Sequence, residues 1–226
     1  MKPMRIAVAR GEIAWQVIAA LMLACAVLAV TLLAPTELSM GHAQRIVYIH
    51  VAVAWLALAA LPTAGACGGL YLRGRNLAWD HWSQAALEIG WLSSGLTLVT
   101  GSLWARAAWG TWWTWDPRLT SALILWTIYS GLLLVRSGLD EPHRRARLGA
   151  VLAMAGMLDV PLVILATRWF RGVHPVAPQM EPAMRFALLL SIAGFTAFFA
   201  ALVVRRKRQL DLAGRIMALE DRVAEG

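Results

Sequence analysis

Long runs of apolar residues, separated by short polar or charged connections, dominate the sequence. Each run approaches the roughly 20 residues that an α-helix needs to cross the hydrocarbon core of a bilayer. The runs are continuous and do not alternate, which favours helices over β-strands. Because backbone groups in lipid must be hydrogen-bonded within the protein, the pattern predicts an all-α integral membrane protein, a six-transmembrane-helix bundle. The six predicted helices cover residues 13–34, 46–72, 84–104, 119–137, 148–167 and 184–204.

Composition agrees with this class. Hydrophobic residues make up 59% of the 226 residues, above the roughly 45–50% of a soluble domain. The formal net charge is +8, but the basic residues punctuate the apolar runs, so the charge does not indicate nucleic-acid binding. Cys25 and Cys67 lie inside apolar runs without the spacing of a disulfide framework, a metal site or a c-type heme attachment motif. The first run is longer than the apolar part of a typical signal peptide, so we expect it to be retained as a helix.

The basic residues also predict the orientation. With the N-terminus placed inside, 15 of the 21 Lys and Arg residues fall on the inner side, and the positive-inside rule then puts both termini in the cytoplasm. Residues 1–204 form the predicted membrane domain, and residues 205–226 form a basic cytoplasmic tail with the apolar spacing of an amphipathic helix. The predicted outer connections cover residues 35–45, 105–118 and 168–183.

The second outer connection, residues 105–118, is crowded with tryptophan. Five of the 12 tryptophans fall between residues 104 and 115. They could form an aromatic belt at the level of the lipid headgroups, or a flat apolar platform for a flat ligand. Asp116 precedes Pro117 and is expected to brace the connection by accepting backbone hydrogen bonds. No nucleophile and base accompany it, so the sequence gives little support to hydrolytic chemistry.

The histidines divide by side. His81 and His143 fall on the inner side, where we expect them to be solvated, whereas His42, His50 and His174 fall on the outer side. A single histidine at any of these outer positions is more often a hydrogen-bonded structural residue. A pair of imidazoles can also occupy both axial positions of heme iron.

An outer heme site would need aromatic walls and cations for the propionates as well as histidine ligands. The candidate walls are the rings of Trp109, Trp112, Trp113 and Trp115. Arg45 and Arg118 lie near the outer ends of predicted helices and are the candidate cations.

Three features within the predicted helices bear on structure or function. Gly65 and Gly69 have the spacing of a close helix–helix contact, and we expect them to serve packing. Asp159, two residues before Pro161, is an intramembrane carboxylate, for which a functional and a structural role stand equally open. Glu88 lies one turn into the third predicted helix, and we expect no special role for it.

One sequence stretch carries a family resemblance. Residues 109–121, Trp-Gly-Thr-Trp-Trp-Thr-Trp-Asp-Pro-Arg-Leu-Thr-Ser, resemble the tryptophan-rich signature of the heme-handling proteins of cytochrome c biogenesis. Within that superfamily the six spans, the short length, residues 45–51 and the single His174 resemble the cytochrome c maturation protein C family over essentially the whole chain. The larger heme lyase subunits have more spans and a further pair of intramembrane histidines, which this chain lacks.

This resemblance implies a function. In such a family, heme b is held at the periplasmic face of the bacterial inner membrane, with His50 and His174 as axial ligands and the tryptophan connection as the platform, so that His42 is not a ligand. The resemblance implies delivery of heme to a periplasmic heme chaperone, maturation protein E, by a protein that is not an enzyme. The other implied partners are the small membrane protein D and the ABC transporter subunits A and B.

Two further classes of function are compatible with a membrane bundle. A permease would need a polar path through the helices, and apart from Asp159 and Glu88 the predicted spans offer few charges for one. A purely structural scaffold would leave the clustered outer tryptophans and histidines unexplained.

Overall fold

The fold is entirely helical in the part of the chain that the structure, a computed structural model, describes: residues 2–170, 172–174 and 180–224, with the backbone alone for residues 2–10, 167 and 221. This confirms the all-α class. A π-helical turn, Ala29–Leu33, follows the first helix, and a 3-10 turn, His42–Arg45, leads into the second. The helices are α1 (Lys2–Leu28), α2 (Ile46–Gly74), α3 (Leu77–Trp109), α4 (Pro117–Ser137), α5 (Pro142–Gly156), α6 (Asp159–Trp169) and α7 (Pro182–Ala224).

Apolar helices long enough to cross a membrane identify the chain as a membrane protein. Among the described residues, five segments meet the criteria of length and apolarity. Helix α3 has 33 residues, but it is not in this group, because polar side chains such as Ser93, Ser94 and Thr97 interrupt its apolar surface. The prediction of a sixth span therefore stays a prediction. The five segments are Gly11–Leu33, His42–Gly74, Pro117–Ser137, Pro142–Ala166 and Pro182–Ala224.

All six predicted helices have different bounds in the structure, and the first begins at Lys2 and not at residue 13. The helix predicted at 84–104 begins earlier, at Leu77, because Asn76 caps it by accepting a hydrogen bond from the backbone N–H of Ala78 at 2.9 Å. The helix predicted at 148–167 is two helices, α5 and α6, separated by a turn. Asp159 is the first residue of α6; it is buried, and its Oδ2 has no hydrogen-bond partner among the described residues.

The last helix continues without interruption past the predicted end of the membrane domain at residue 204. Helix α7 has 43 residues, which at 1.5 Å per residue gives a length of about 65 Å. The predicted amphipathic tail is thus a continuation of the last helix as far as Ala224. Its apolar side chains Leu212, Ile216, Leu219 and Val223 are exposed.

Helix α2 is at the centre of the bundle and packs against α3, α5 and α7. Its contact with α5 is close: a Cβ added to Gly68 would lie 2.9 Å from the Cα of Ala150, and one added to Gly65 would overlap Met157. The predicted packing role of the glycines is confirmed for Gly65. The second glycine of α2 that lies close to α5 is Gly68 and not Gly69, because a Cβ on Gly69 would meet only the Sδ of Met154, at 3.8 Å.

Ion pairs link the helices at the end of the bundle where α3 begins and α4 ends, which we call the ion-pair end. Two ion pairs, Asp80 with Arg136 and Glu88 with Arg206, define it together with the hydrogen-bond contact between His81 and Asp211. The expectation that His81 is solvated is wrong, because its Nδ1 lies 2.7 Å from Asp211 Oδ1 and its side chain is 15% exposed.

The remaining inner-side expectations have mixed outcomes. Glu88, for which we expected no role, joins α3 to α7 by accepting two hydrogen bonds from the guanidinium of Arg206. His143 is exposed, as predicted, and its Nδ1 lies 3.1 Å from the hydroxyl oxygen of Tyr71. Arg171 and residues 175–179, which belong to the third predicted outer connection, lie outside the described residues.

Candidate functional site

The tryptophan connection is shorter than predicted. Helix α3 ends at Trp109, and Gly110 follows it with a φ of +73°, a conformation that glycine adopts without strain. Helix α4 then begins at Pro117, at the first helical position where proline loses no hydrogen bond. The connection proper is therefore residues 110–116, and Trp109 belongs to a helix.

Hydrogen bonds from α3 hold this connection against the bundle. The hydroxyl of Ser102 donates to the carbonyl of Trp112 at 2.8 Å. The guanidinium of Arg106 contacts the carbonyl of Gly110 and lies 5.8 Å from the centre of the Trp112 ring. The side chain of Thr111 donates to the carbonyl of Trp113 at 3.0 Å. The backbone that carries the tryptophans is thus fixed by its own side chains and by α3.

Asp116 braces the connection as predicted. Its Oδ1 accepts the backbone N–H of Leu119 at 2.8 Å and so caps α4, while its Oδ2 accepts the backbone N–H of His174 at 3.3 Å. Gly172 passes directly beside this carboxylate, since a Cβ there would lie 3.0 Å from Oδ2. Asp116 therefore connects the start of α4 to the segment that carries His174.

Two of the three histidines predicted on the outer side, His50 and His174, line one cavity. It has a volume of about 80 Å³ and lies between α2, α3 and α4, with His50 supplied by α2 and His174 by the third outer connection. Trp113 and Arg118 line the same cavity. Four of the predicted site residues, far apart in the sequence, are therefore brought together.

The other predicted site residues surround this group without lining the cavity. The ring of Trp109 meets that of His174 edge to face, with 6.4 Å between centroids. Trp115 packs edge to face on Trp113 at 5.8 Å and is 76% exposed, and Trp112 is 55% exposed. Arg45 donates through Nη2 to the carbonyl of Ala34 at 3.5 Å. The exposed His42 is not among the lining residues.

An open apolar groove of about 560 Å³ borders the cavity on the face between α3 and α4. Leu98, Ser102 and Trp113 line both the groove and the cavity, so a single layer of side chains separates them. The groove continues towards the ion-pair end along Trp91 and Trp126, whose rings stack at 6.4 Å. The space beside the two histidines is thus extended laterally by apolar surface.

Sequence reasoning missed the contribution of α3 to the cavity. Ser94, Thr97 and Gly101 line it, and Thr100 contacts the His50 ring at 3.1 Å. Their spacing of three and four residues places them on one face of a helix. A stripe of small and polar residues in an apolar segment could have indicated that this face of α3 lines a site. The sequence alone does not say that the stripe faces His50, because that depends on how α2 and α3 pack.

The site offers two imidazoles, an aromatic ring and a guanidinium around one space. Among the described residues, no group of three or more His, Cys, Asp or Glu side chains could hold a bare metal ion. The arrangement suits a ligand that carries its own metal and anionic groups, since the described residues that line the cavity supply two imidazoles and one guanidinium.

Almost the whole chain is similar to one family of known proteins. A family model described as heme exporter protein C matches residues 2–221. The chain is 34% identical over 195 residues to the heme exporter protein C of Bradyrhizobium diazoefficiens, covering 83% of this chain and 74% of the relative. It is 33% identical over 187 residues to that of Escherichia coli K12, covering 79% and 75%, and 33% identical over 196 residues to that of Rhodobacter capsulatus, covering 83% and 81%. The chain therefore belongs to the heme exporter protein C family.

Proposed function

We propose that the protein binds heme at the cavity between α2, α3 and α4 and delivers it to a periplasmic heme chaperone during cytochrome c biogenesis. The family supports a role in heme export as a delivery component. The observation that carries the site is that His50 and His174 line one cavity although they come from different parts of the chain.

The chemistry of the residues fits heme b. The two imidazoles can provide both axial ligands to the iron, the indole of Trp113 gives an apolar wall, and the guanidinium of Arg118 can pair with a propionate. When bound, heme supplies the iron and the two carboxylates that these groups recognise.

The volume imposes a condition on binding. The cavity of about 80 Å³ is smaller than the roughly 300–1,000 Å³ of typical small-molecule sites. The groove of about 560 Å³ beyond Trp113 provides the missing space. Heme binding therefore requires the cavity and the groove to join, which a displacement of the Trp113 side chain would achieve.

The remaining predicted site residues take supporting roles in this proposal. Trp109 contacts the His174 ring and Asp116 accepts the His174 backbone N–H, so both residues help to position His174 as a ligand. Trp112 and Trp115 are exposed and form the outer rim of the platform. Arg45, five residues before His50, stays the second candidate for a propionate.

The proposed partners follow the family. They are the periplasmic heme chaperone, maturation protein E, together with the small membrane protein D and the ABC transporter subunits A and B. The proposal assigns delivery of heme and no enzymatic step to the protein, in keeping with the role in heme export that the family supports.

We further propose that α3 is the sixth span and that both termini are cytoplasmic, which places the tryptophan connection in the periplasm. Alkaline phosphatase, which is active only in the periplasm, should then be active when fused after Trp112. It should be inactive when fused after Asp140, in the turn between α4 and α5. Measured phosphatase activity in the opposite order would overturn the orientation.

Delivery of heme can be tested with the periplasmic chaperone. In cells that lack this protein, the chaperone should carry at least about tenfold less covalently bound heme, because its supply at the periplasmic face is lost. Restoration of the wild-type gene should recover the heme stain of the purified chaperone.

The His42→Ala variant serves as the matched control for this measurement, because His42 is an exposed outer histidine outside the cavity. It should load the chaperone like the wild type. If purified wild-type protein alone moved heme across sealed vesicles, and chaperone loading did not depend on it, the permease alternative would replace delivery.

A further inference from the structure

We infer that Thr100 is a positioning residue for His50: it holds the imidazole in the tautomer that leaves Nε2 free to bind iron. This inference rests on the proposed heme site. It concerns a contact between α2 and α3 that the tryptophan signature does not include.

The hydrogen bonds of one hydroxyl determine the tautomer. Thr100 Oγ1 lies 2.6 Å from the carbonyl oxygen of Leu96 and 3.1 Å from Nδ1 of His50. The hydroxyl has a single hydrogen, and a carbonyl oxygen can only accept. The short bond to Leu96 therefore takes that hydrogen, and the hydroxyl oxygen is left to accept a hydrogen bond from His50.

It follows that Nδ1 of His50 carries the ring proton. A neutral imidazole has one N–H, so Nε2 keeps its lone pair, which is the form that binds a metal. Iron-binding histidines commonly donate their other ring N–H to a protein acceptor, and this second contact fixes both the tautomer and the ring orientation. Here the acceptor is the hydroxyl oxygen of Thr100, whose hydrogen is already donated to the carbonyl of Leu96.

Gly101 makes room for the ring beside this hydrogen bond. A Cβ at that position would lie 2.9 Å from Cε1 of His50, closer than real Cβ atoms approach, and 3.4 Å from Nδ1. The imidazole therefore lies directly against the α3 backbone. Thr100 supplies the acceptor and the neighbouring glycine supplies the space.

Described contacts hold both candidate ligands in place. His50 is fixed through its ring, between two helices that pack on each other. His174 donates its backbone N–H to Asp116 at 3.3 Å, and its ring meets that of Trp109. The ring contact to Thr100 presets the coordinating nitrogen of His50.

The test replaces Thr100 with valine, which has nearly the same shape and lacks the hydroxyl. We expect Thr100→Val to weaken heme binding by about 10–100-fold, the usual effect of removing such a second contact. The heme midpoint potential should also become more positive, because the imidazole becomes a less basic ligand. Thr100→Ser, which keeps a hydroxyl, should restore both values.

A matched control is available in α2, away from the cavity. The hydroxyl of Thr63 donates to the carbonyl of Ala59 at 2.8 Å, and Thr63 is exposed and does not line the cavity. Thr63→Val removes a hydroxyl from a membrane helix without changing the cavity or the acceptor for His50. It should bind heme within about threefold of the wild type, so an equal loss in both valine variants would overturn the inference.

A second measurement is independent of heme. In heme-free protein labelled with ¹⁵N-histidine, the His50 signal, identified by its loss in His50→Ala, should show a protonated Nδ1 and an unprotonated Nε2. Thr100→Val should change this pattern. A wild-type protein that failed to bind heme would contradict the proposed function, whereas a protonated Nε2 on His50 would contradict the role of Thr100 alone.

Discussion

Replacement of His50 by alanine is expected to abolish the bis-imidazole heme spectrum of the purified protein. His50 lines the cavity from the central helix α2, and no other α2 side chain that lines it can ligate iron, since the others are Ala54, Ala57 and Leu58. The loss of heme affinity should exceed about 100-fold, more than the 10–100-fold typical of contacts behind a ligand. Absorption and electron paramagnetic resonance spectra of protein reconstituted with heme measure it.

His174→Ala should have the same direction of effect, because the second axial position loses its nitrogen. His42→Ala is the control and should keep the wild-type spectrum, since His42 is exposed and outside the cavity. Free imidazole added to His50→Gly should restore part of the spectrum if the deleted ring leaves a space beside the iron. A bis-imidazole spectrum in the protein lacking both His50 and His174 would rule out this ligand assignment.

Removal of the Asp80 carboxylate is expected to destabilise the fold more than removal of either charge of the more exposed Glu88–Arg206 pair. Arg136 donates to Asp80 through Nη1 at 2.8 Å and Nη2 at 2.9 Å, and the two side chains are 3% and 2% exposed. Asp80→Ala leaves the guanidinium buried with only Gln84, at 3.0 Å, to accept from it. Breaking such a pair typically costs about 3–5 kcal/mol. Thermal unfolding of the protein in detergent measures the loss.

The Glu88–Arg206 pair provides a matched control for this prediction. Its side chains are 27% and 39% exposed, so solvent screens the charges, and Glu88→Gln should cost at most about 1 kcal/mol. The double variant Asp80→Leu, Arg136→Leu should recover part of the loss, because no unpaired charge then remains buried. Equal destabilisation by Asp80→Ala and Glu88→Gln would contradict the special weight given to the buried pair.

The sequence predicted features that depend on neighbours along the chain. The apolar runs predicted the helices, and Asp116 before Pro117 predicted a carboxylate that braces the connection by accepting backbone hydrogen bonds. The structure adds that one of these bonds, from Leu119, caps α4. The prediction of one continuous helix at 148–167 was wrong, because the segment is two helices, α5 and α6. An apolar pattern does not reveal a break between two helices that are both apolar.

Contacts between distant residues could not be predicted in the same way. Asp80 and Arg136 each lie at the edge of an apolar run, where a charge is ordinarily read as solvated, and only the packing of α3 on α4 shows that they are paired and buried. The prediction that His81 is solvated was wrong for the same reason, because its contact with Asp211 depends on the packing of distant helices. The candidate site was predicted as a set of residues, but the division between Trp113 inside the cavity and Trp112 outside it requires coordinates.

The ion-pair end has a mechanical consequence for the opposite end of the bundle. Charged hydrogen bonds join α3 to α4 at one end, through Asp80 and Arg136. At the other end the short connection of residues 110–116 joins the same two helices, and Ser102 holds its backbone at Trp112. Because the helix pair is closed at both ends, we expect a ligand to gain space by rotation of side chains such as Trp113, while the two helix axes keep their separation.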